Sequence, residues 1–200
     1  KTKAIMPVHL YGQSCDMDEI LRISLKNDLF IVEDAAQGVG VKYKRKHTGT
    51  FGHLGVLSFY GNKTITCGEG GIILTESKEL RDKVYQLKNH GRLEKGQFIH
   101  ETIGYNFCFT EMQAAVGVSQ LKKLSMIKFR KREIYQNYMD AFSGISDKLK
   151  PVWVDEKCDP VWWFTSFLTE SKAELKEYLL SFGIQSRDFF YPLHKQPCYE

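Results

Sequence analysis

Along the chain, short apolar runs alternate with stretches in which apolar residues recur at helical spacing. Ala4 to Leu10 is such a run, closed by Gly12, and predicts a buried strand. Asp16 followed three residues later by Glu19 is an N-cap pattern, and Ile20, Leu21, Ile23 and Leu25 continue at mostly helical spacing. Leu29 to Glu33 predicts a second buried strand that delivers Asp34 at its carboxyl end. Strand, helix and strand within roughly thirty residues make a βαβ unit with parallel strands. Ligands of such sheets sit at the carboxyl ends of the strands, so Asp34 stands where chemistry is expected.

From Gly38 to Gly55 glycines stand at 38, 40, 49, 52 and 55 with basic residues between them, which predicts turns and short extended pieces. Gly55 to Tyr60 reads as a third strand, Gly61 to Gly71 as a loop, and the residues through Leu74 as a fourth strand, followed by a helix from Ser77 to about Lys88. The stretch from Asn89 to Cys108 has no clear period and is long for a plain connection, which favours a functional loop. Thr110-Glu111-Met112-Gln113 is a capping box, predicted to open one long helix through about Tyr138. From Pro151 the pattern changes to a short strand, the apolar run Val161 to Leu168, and a second capping box at Ser171 with Glu174. Leu175, Leu179 and Phe182 line one face of the helix that follows, and Gly183 ends it. This tail reads as the opening of a second α/β unit.

Composition narrows the classes. With 42% hydrophobic and 26% charged residues the chain is too apolar for a disordered protein and has enough for a core. A net charge of +4 without a polybasic run argues against a nucleic-acid partner. The apolar runs fall far short of the ~20 residues that cross a bilayer, so no membrane partner is expected. Five widely spaced cysteines without a C-x-x-C pair point to reduced thiols and a cytoplasmic setting. The six histidines lack zinc-ligand spacing, so no metal is expected. Lys1 stands where an initiator methionine would, and strand-like sequence begins by Ala4 with no leader, so the chain reads as a cut piece.

Lys63 lies in a glycine-flanked loop after a strand, five residues beyond Ser58. Alone it reads by default as a solvated loop charge; the functional alternative is a Schiff-base lysine, which requires partial burial and a short rigid tether. Asp34 at a neighbouring strand end adds a carboxylate able to hold a pyridinium nitrogen protonated, and a lysine with such an acid is what pyridoxal phosphate asks of its protein. The Gly68-Glu69-Gly70-Gly71 stretch lacks the G-K-[ST] ending of a Walker loop and reads as a tight turn.

Glu33-Asp34-Ala35-Ala36-Gln37, Ser58-Phe59 ahead of Lys63, Gly68-Glu69-Gly70-Gly71, and Gly104-Tyr105-Asn106 through Gln113-Ala114-Ala115 together resemble the DegT/DnrJ/EryC1/StrS family of sugar-nucleotide aminotransferases. Pro7-Val8-His9 and Gly183-Ile184 to Pro192-Leu193-His194 extend the likeness over nearly the whole chain. The resemblance implies an α/β protein of the type I pyridoxal-phosphate aminotransferase fold, with a mostly parallel sheet. Residues 1–150 would be the later part of the large cofactor domain, lacking its amino-terminal part, and residues 151–200 the beginning of a smaller α/β C-terminal domain.

Position by position, it makes Lys63 the Schiff-base lysine, Asp34 the acid at the pyridine nitrogen, Gln37 a neighbour of the phenolic oxygen and Ser58 a phosphate contact. Asn106 would reach the cofactor phosphate of a neighbouring subunit, implying a homodimer. Without the resemblance, Asp34 also reads as a helix cap, Ser58 as a buried strand hydroxyl, and Gln37 and Asn106 as turn residues. His9, His90, Arg187 and His194 are candidates for holding the sugar nucleotide, or else satisfied structural polar residues. Relatives with histidine at the Schiff-base position are sugar 3-dehydratases, so Lys63 implies transamination.

The expected reaction moves an amino group from glutamate to a nucleotide-linked 4-keto-6-deoxy sugar. Phe189-Phe190-Tyr191-Pro192 and Pro7-Val8-His9 look most like perosamine-type members that use a GDP-sugar. UDP- or dTDP-sugars, another sugar-nucleotide enzyme of this cofactor, and a catalytically incomplete or regulatory cofactor-binding relative stay open.

Overall fold

A computed structural model describes residues 1–94, 96, 98–145 and 147–199. The βαβ unit forms as the pattern predicts: β1 (Ala4–Ile5), α1 (Met17–Asn27) and β2 (Phe30–Asp34), with β1 and β2 parallel in the register Ala4 to Phe30 and Ile5 to Ile31. Asp16 caps α1 by accepting the Glu19 N–H at 3.2 Å. The first strand is shorter than its apolar run. Pro7 has no N–H for a ladder, so its carbonyl accepts from Asp34 at 2.9 Å, Val8 makes one isolated bridge to Asp34, and Leu10 to Gly12 close into a 3-10 turn.

Next in chain order come the hairpin strands β3 (Lys42–Tyr43) and β4 (Lys46–His47), then β5 (Leu54–Ser58) and β6 (Gly71–Leu74). β5 lies parallel beside β2 and antiparallel to β6, giving a four-stranded sheet in the order β1-β2-β5-β6 with one antiparallel edge. Tyr43, Met17, Ile31, Val41 and Ile65 are its fully buried core.

α2 (Lys78–Lys88) is capped by Ser77. The single long helix expected after Thr110 is two helices, α3 (Glu111–Leu121) and α4 (Leu124–Ala141). The capping box itself forms, with Thr110 Oγ1 accepting from Gln113 N and Gln113 Oε1 accepting from Thr110 N. No proline or glycine causes the break. Lys122 and Lys123 keep right-handed helical angles while the turn tightens to a Lys123 N to Gln120 O bond. α4 then follows a direction in which Lys128 Nζ reaches the Gly40 carbonyl at 2.7 Å and Asp159 at 3.1 Å.

The tail contributes β7 (Lys150–Pro151), β8 (Cys158–Asp159), β9 (Phe167–Leu168) and α5 (Lys172–Ser181). β7 pairs with β9, while β8 pairs back onto β3, with Tyr43 opposite Cys158. The run Val161 to Leu168 is therefore not one strand. Val161 and Trp163 are buried against the earlier residues, where Val161 N donates to the Gly12 carbonyl at 2.9 Å. The second capping box is also absent: Ser171 has φ −96° and ψ 46°, and its side chain caps nothing. Gly183 ends α5 as expected, at φ +74°. Among the described residues no helix is long and apolar enough to cross a membrane.

Candidate active site

Register brings the first candidates together. Asp34 is paired with Val56 across the parallel β2–β5 ladder, so the two share a face, and Ser58 lies two residues further on the same face of β5. Asp34 and Ser58 thus stand at the carboxyl ends of adjacent parallel strands. Both are half-buried. Asp34 Oδ1 accepts the Ala36 N–H at 3.0 Å, and Ser58 Oγ accepts the Tyr60 N–H at 3.3 Å.

The loop from β5 to β6 carries Lys63 and is closed at its base. Phe59 N donates to the Gly70 carbonyl at 2.8 Å, and Cys67 N and Thr66 Oγ1 both donate to the Phe59 carbonyl. Gly70 has φ +146°, and a Cβ there would lie 2.1 Å from the Phe109 ring, so the turn needs glycine. Gln113 Nε2 holds the Glu69 carbonyl at 3.1 Å and ties α3 to the loop. Lys63 N donates to the Tyr60 carbonyl at 2.9 Å, so the lysine sits in a hydrogen-bonded turn. Burial lowers its amine pKa, with the Asp34 carboxylate pulling the other way.

Two residues that sequence reasoning did not single out complete this region. Lys63 Nζ sits 4.8 Å from the centroid of the Trp163 ring, and Trp163 Nε1 donates to the Asn62 carbonyl at 2.7 Å. The only sequence signal was the pair of adjacent indoles, Trp162 and Trp163, within the apolar run. Tyr11, at φ +54°, donates its N–H to Gln37 Oε1 at 2.7 Å and stacks on Phe190 at 5.1 Å. Gln37 is thereby fixed through its oxygen, which leaves the amide nitrogen as its donor end.

The remaining candidates lie apart from this group. His9 is fully buried on the opposite side of β2, where Nε2 donates to Glu33 at 3.0 Å and Nδ1 accepts the Cys15 N–H at 3.1 Å. Both ring nitrogens are taken, so its placement is that of a structural histidine. Glu33 also accepts from the N–H groups of Gly49, Phe51 and Gly52, each at 2.6 Å. Burial works against its charge, yet the His9 bond and the backbone donors together hold its carboxyl below the ordinary value. Asn106 is exposed and bridges Asn89 at the end of α2. His90, at φ +59°, donates its N–H to the Tyr105 carbonyl. Arg187 and His194 are exposed in the tail that packs on Tyr11 through Phe189 and Phe190.

A half-buried carboxylate and hydroxyl thus stand at the ends of adjacent parallel strands, with a lysine amine near enough to feel the carboxylate. The chain belongs to the DegT/DnrJ/EryC1/StrS aminotransferase family, which it matches over residues 1–200. It is 40% identical over 205 residues to the GDP-perosamine synthase of Escherichia coli O157:H7 and 36% identical over 208 residues to that of Vibrio cholerae. Each match takes in 100% of this chain and 55% of the relative, so the chain spans about half the length of the curated relatives it matches. Among solved structures, Streptomyces venezuelae DesV superposes with a TM-score of 0.91 at 34% identity, over 99% of this chain and 53% of that one. The aminotransferases of this family use pyridoxal phosphate.

Proposed function

We propose that this chain carries the lysine-bearing part of the active site of a pyridoxal-phosphate-dependent sugar-nucleotide aminotransferase. The observation that carries the reading is the β2–β5 register, which sets Asp34 and Ser58 on one face with the Lys63 amine close enough to feel the Asp34 carboxylate. The donor set fits the cofactor. Asp34 supplies a carboxylate for the ring nitrogen, Ser58 a hydroxyl for a phosphate oxygen, and Gln37 an amide nitrogen for the phenolic oxygen. When bound, pyridoxal phosphate supplies the electron sink that makes a proton on the amino donor's α-carbon removable. Lys63, with its neutral amine favoured by burial, serves as nucleophile toward a carbonyl and, once free, carries that proton on Nζ.

The acceptor in this reading is a nucleotide-linked 4-keto-6-deoxy sugar and the donor is glutamate. The names of the E. coli and V. cholerae relatives favour a GDP-sugar. Arg187 and His194 are the residues we assign toward the sugar nucleotide; His9 keeps only its structural place. Asn106, exposed here, would serve a partner subunit's site in a cytoplasmic homodimer. Residues 1–150 and 151–200 are proposed as parts of a large and a small domain.

Incubated with pyridoxal phosphate, the chain should form a borohydride-reducible linkage at Lys63 with visible absorbance, and Lys63→Ala should lose both. A Lys63→Ala protein that keeps the band overturns the assignment. A second reading, binding without turnover, rests on the chain spanning about half of its relatives. Product mass from a panel of GDP-, UDP- and dTDP-ketosugars separates the two.

A further inference from the structure

The geometry points to Trp163 as the positioning residue of Lys63: its ring seats the amine and its indole N–H pins the loop one residue earlier. The inference rests on the assignment of Lys63 above and adds the element that aims it. Lys63 Nζ lies 4.8 Å from the ring centroid, within the range of a cation–π contact. The Nε1–H donates to the Asn62 carbonyl at 2.7 Å, so a single side chain grips both the backbone that bears the lysine and the lysine head.

Trp163 is itself firmly placed. It is 5% exposed, its carbonyl accepts from Lys131 Nζ at 3.2 Å, and its ring lies 4.2 Å from that of Phe164. The segment before it packs so tightly on Gly12 that a Cβ there would stand 1.8 Å from the Val161 carbonyl oxygen. At φ +76°, Gly12 is also in a conformation that glycine tolerates best. Trp163 comes from the tail, one hundred and one residues beyond its hydrogen-bond partner. The tail thus has a direct hold on the lysine of the first unit.

The groups facing Lys63 are the Trp163 ring and the Asp34 carboxylate. Burial acts on the amine more strongly than the carboxylate does. Removing the indole takes away a ring face that favours the ammonium but also opens the site to water, and because burial is the largest influence on this amine it should then titrate closer to an ordinary lysine.

The test needs no cofactor. The pH dependence of acetic anhydride labelling at Lys63, read by mass spectrometry on the full chain, reports how the amine titrates. In Trp163→Leu the midpoint should rise, leaving about three- to tenfold less neutral amine at pH 8. Trp163→Phe keeps a ring face but loses the bond to Asn62 and should shift in the same direction by a smaller factor. Profiles identical in wild type and both variants overturn the inference. If the leucine variant does not fold, an unchanged profile in Trp163→Phe overturns it alone.

A parallel measurement follows borohydride-trapped linkage of added pyridoxal phosphate to Lys63. Linkage in wild type together with an unmoved labelling profile in the variants sinks the role of Trp163 and keeps the assignment of Lys63. A moved profile without linkage in wild type does the reverse.

Discussion

Glu33 and Asp34 are neighbours in sequence and opposites in circumstance. Because successive strand residues face opposite ways, Glu33 projects into the interior and Asp34 to the face shared with Ser58. Glu33 is fully buried and accepts four hydrogen bonds, from His9 and from the backbone of Gly49, Phe51 and Gly52. Asp34 is half-buried, with one backbone donor and a lysine nearby. A carboxylate whose oxygens are all engaged by its own chain holds structure, whereas one with an oxygen to spare at a strand end can serve a ligand. Identical chemistry one residue apart is divided by the pleat alone.

The comparison breaks most visibly at Glu33. Glu33→Ala leaves the His9 ring and three backbone N–H groups without their acceptor, and should cost about 3–5 kcal/mol of folding stability, read by urea unfolding. A loss under about 1 kcal/mol would mean that the network does not hold the loop from Gly49 to Gly52. His9→Phe removes one of the four donors to Glu33 and the acceptor of the Cys15 N–H while keeping most of the volume, so it should cost less, about 1–3 kcal/mol.

That division was only partly legible in the sequence. The alternation of β2 and the cap at Asp16 are local signals, and the βαβ unit followed from them. The pairing of Glu33 with His9 joins residues twenty-four apart, and that of Trp163 with Asn62 residues one hundred and one apart. No window of periodicity spans such distances, so His9 read as a substrate candidate and Trp163 was not singled out within its apolar run. The break at Lys122 and Lys123 was not legible either: neither residue stops a helix, and both keep right-handed helical angles. Ser171 and Glu174 show the converse, a capping pattern that is present in sequence but not made, because the backbone at Ser171 lies outside the extended region a cap uses. The alignment of Asp34 with Ser58 needed the β2–β5 register, which the sequence suggested only through the family resemblance.

The other side of the comparison is sharpened at Asp34. Asp34→Asn should leave folding stability within about 0.5 kcal/mol, because it removes no buried partner network. It should weaken pyridoxal phosphate binding about tenfold or more, since a charge-assisted hydrogen bond contributes roughly 1.5–3 kcal/mol. Fluorescence titration with the cofactor reads the second effect and urea unfolding the first. A variant that unfolds easily but binds normally would reverse the roles given to the two acids.

The smallest effect is in pH, and its sign follows from the direction of the Glu33 shift. Its carboxyl in the folded chain titrates below the ordinary 4.5, so its ionised form is favoured by folding. The stabilisation is complete above the unfolded value and is lost as pH falls through the folded one. Glu33→Gln should therefore be less stable than wild type at pH 7, and the margin should narrow as the solution is acidified below about 4.5. Urea unfolding of both proteins from pH 7 to 3.5 checks this. A margin that stays constant throughout would place the stabilisation in the shape of the side chain and not in its charge, and Glu33 would then differ from Asp34 by packing alone.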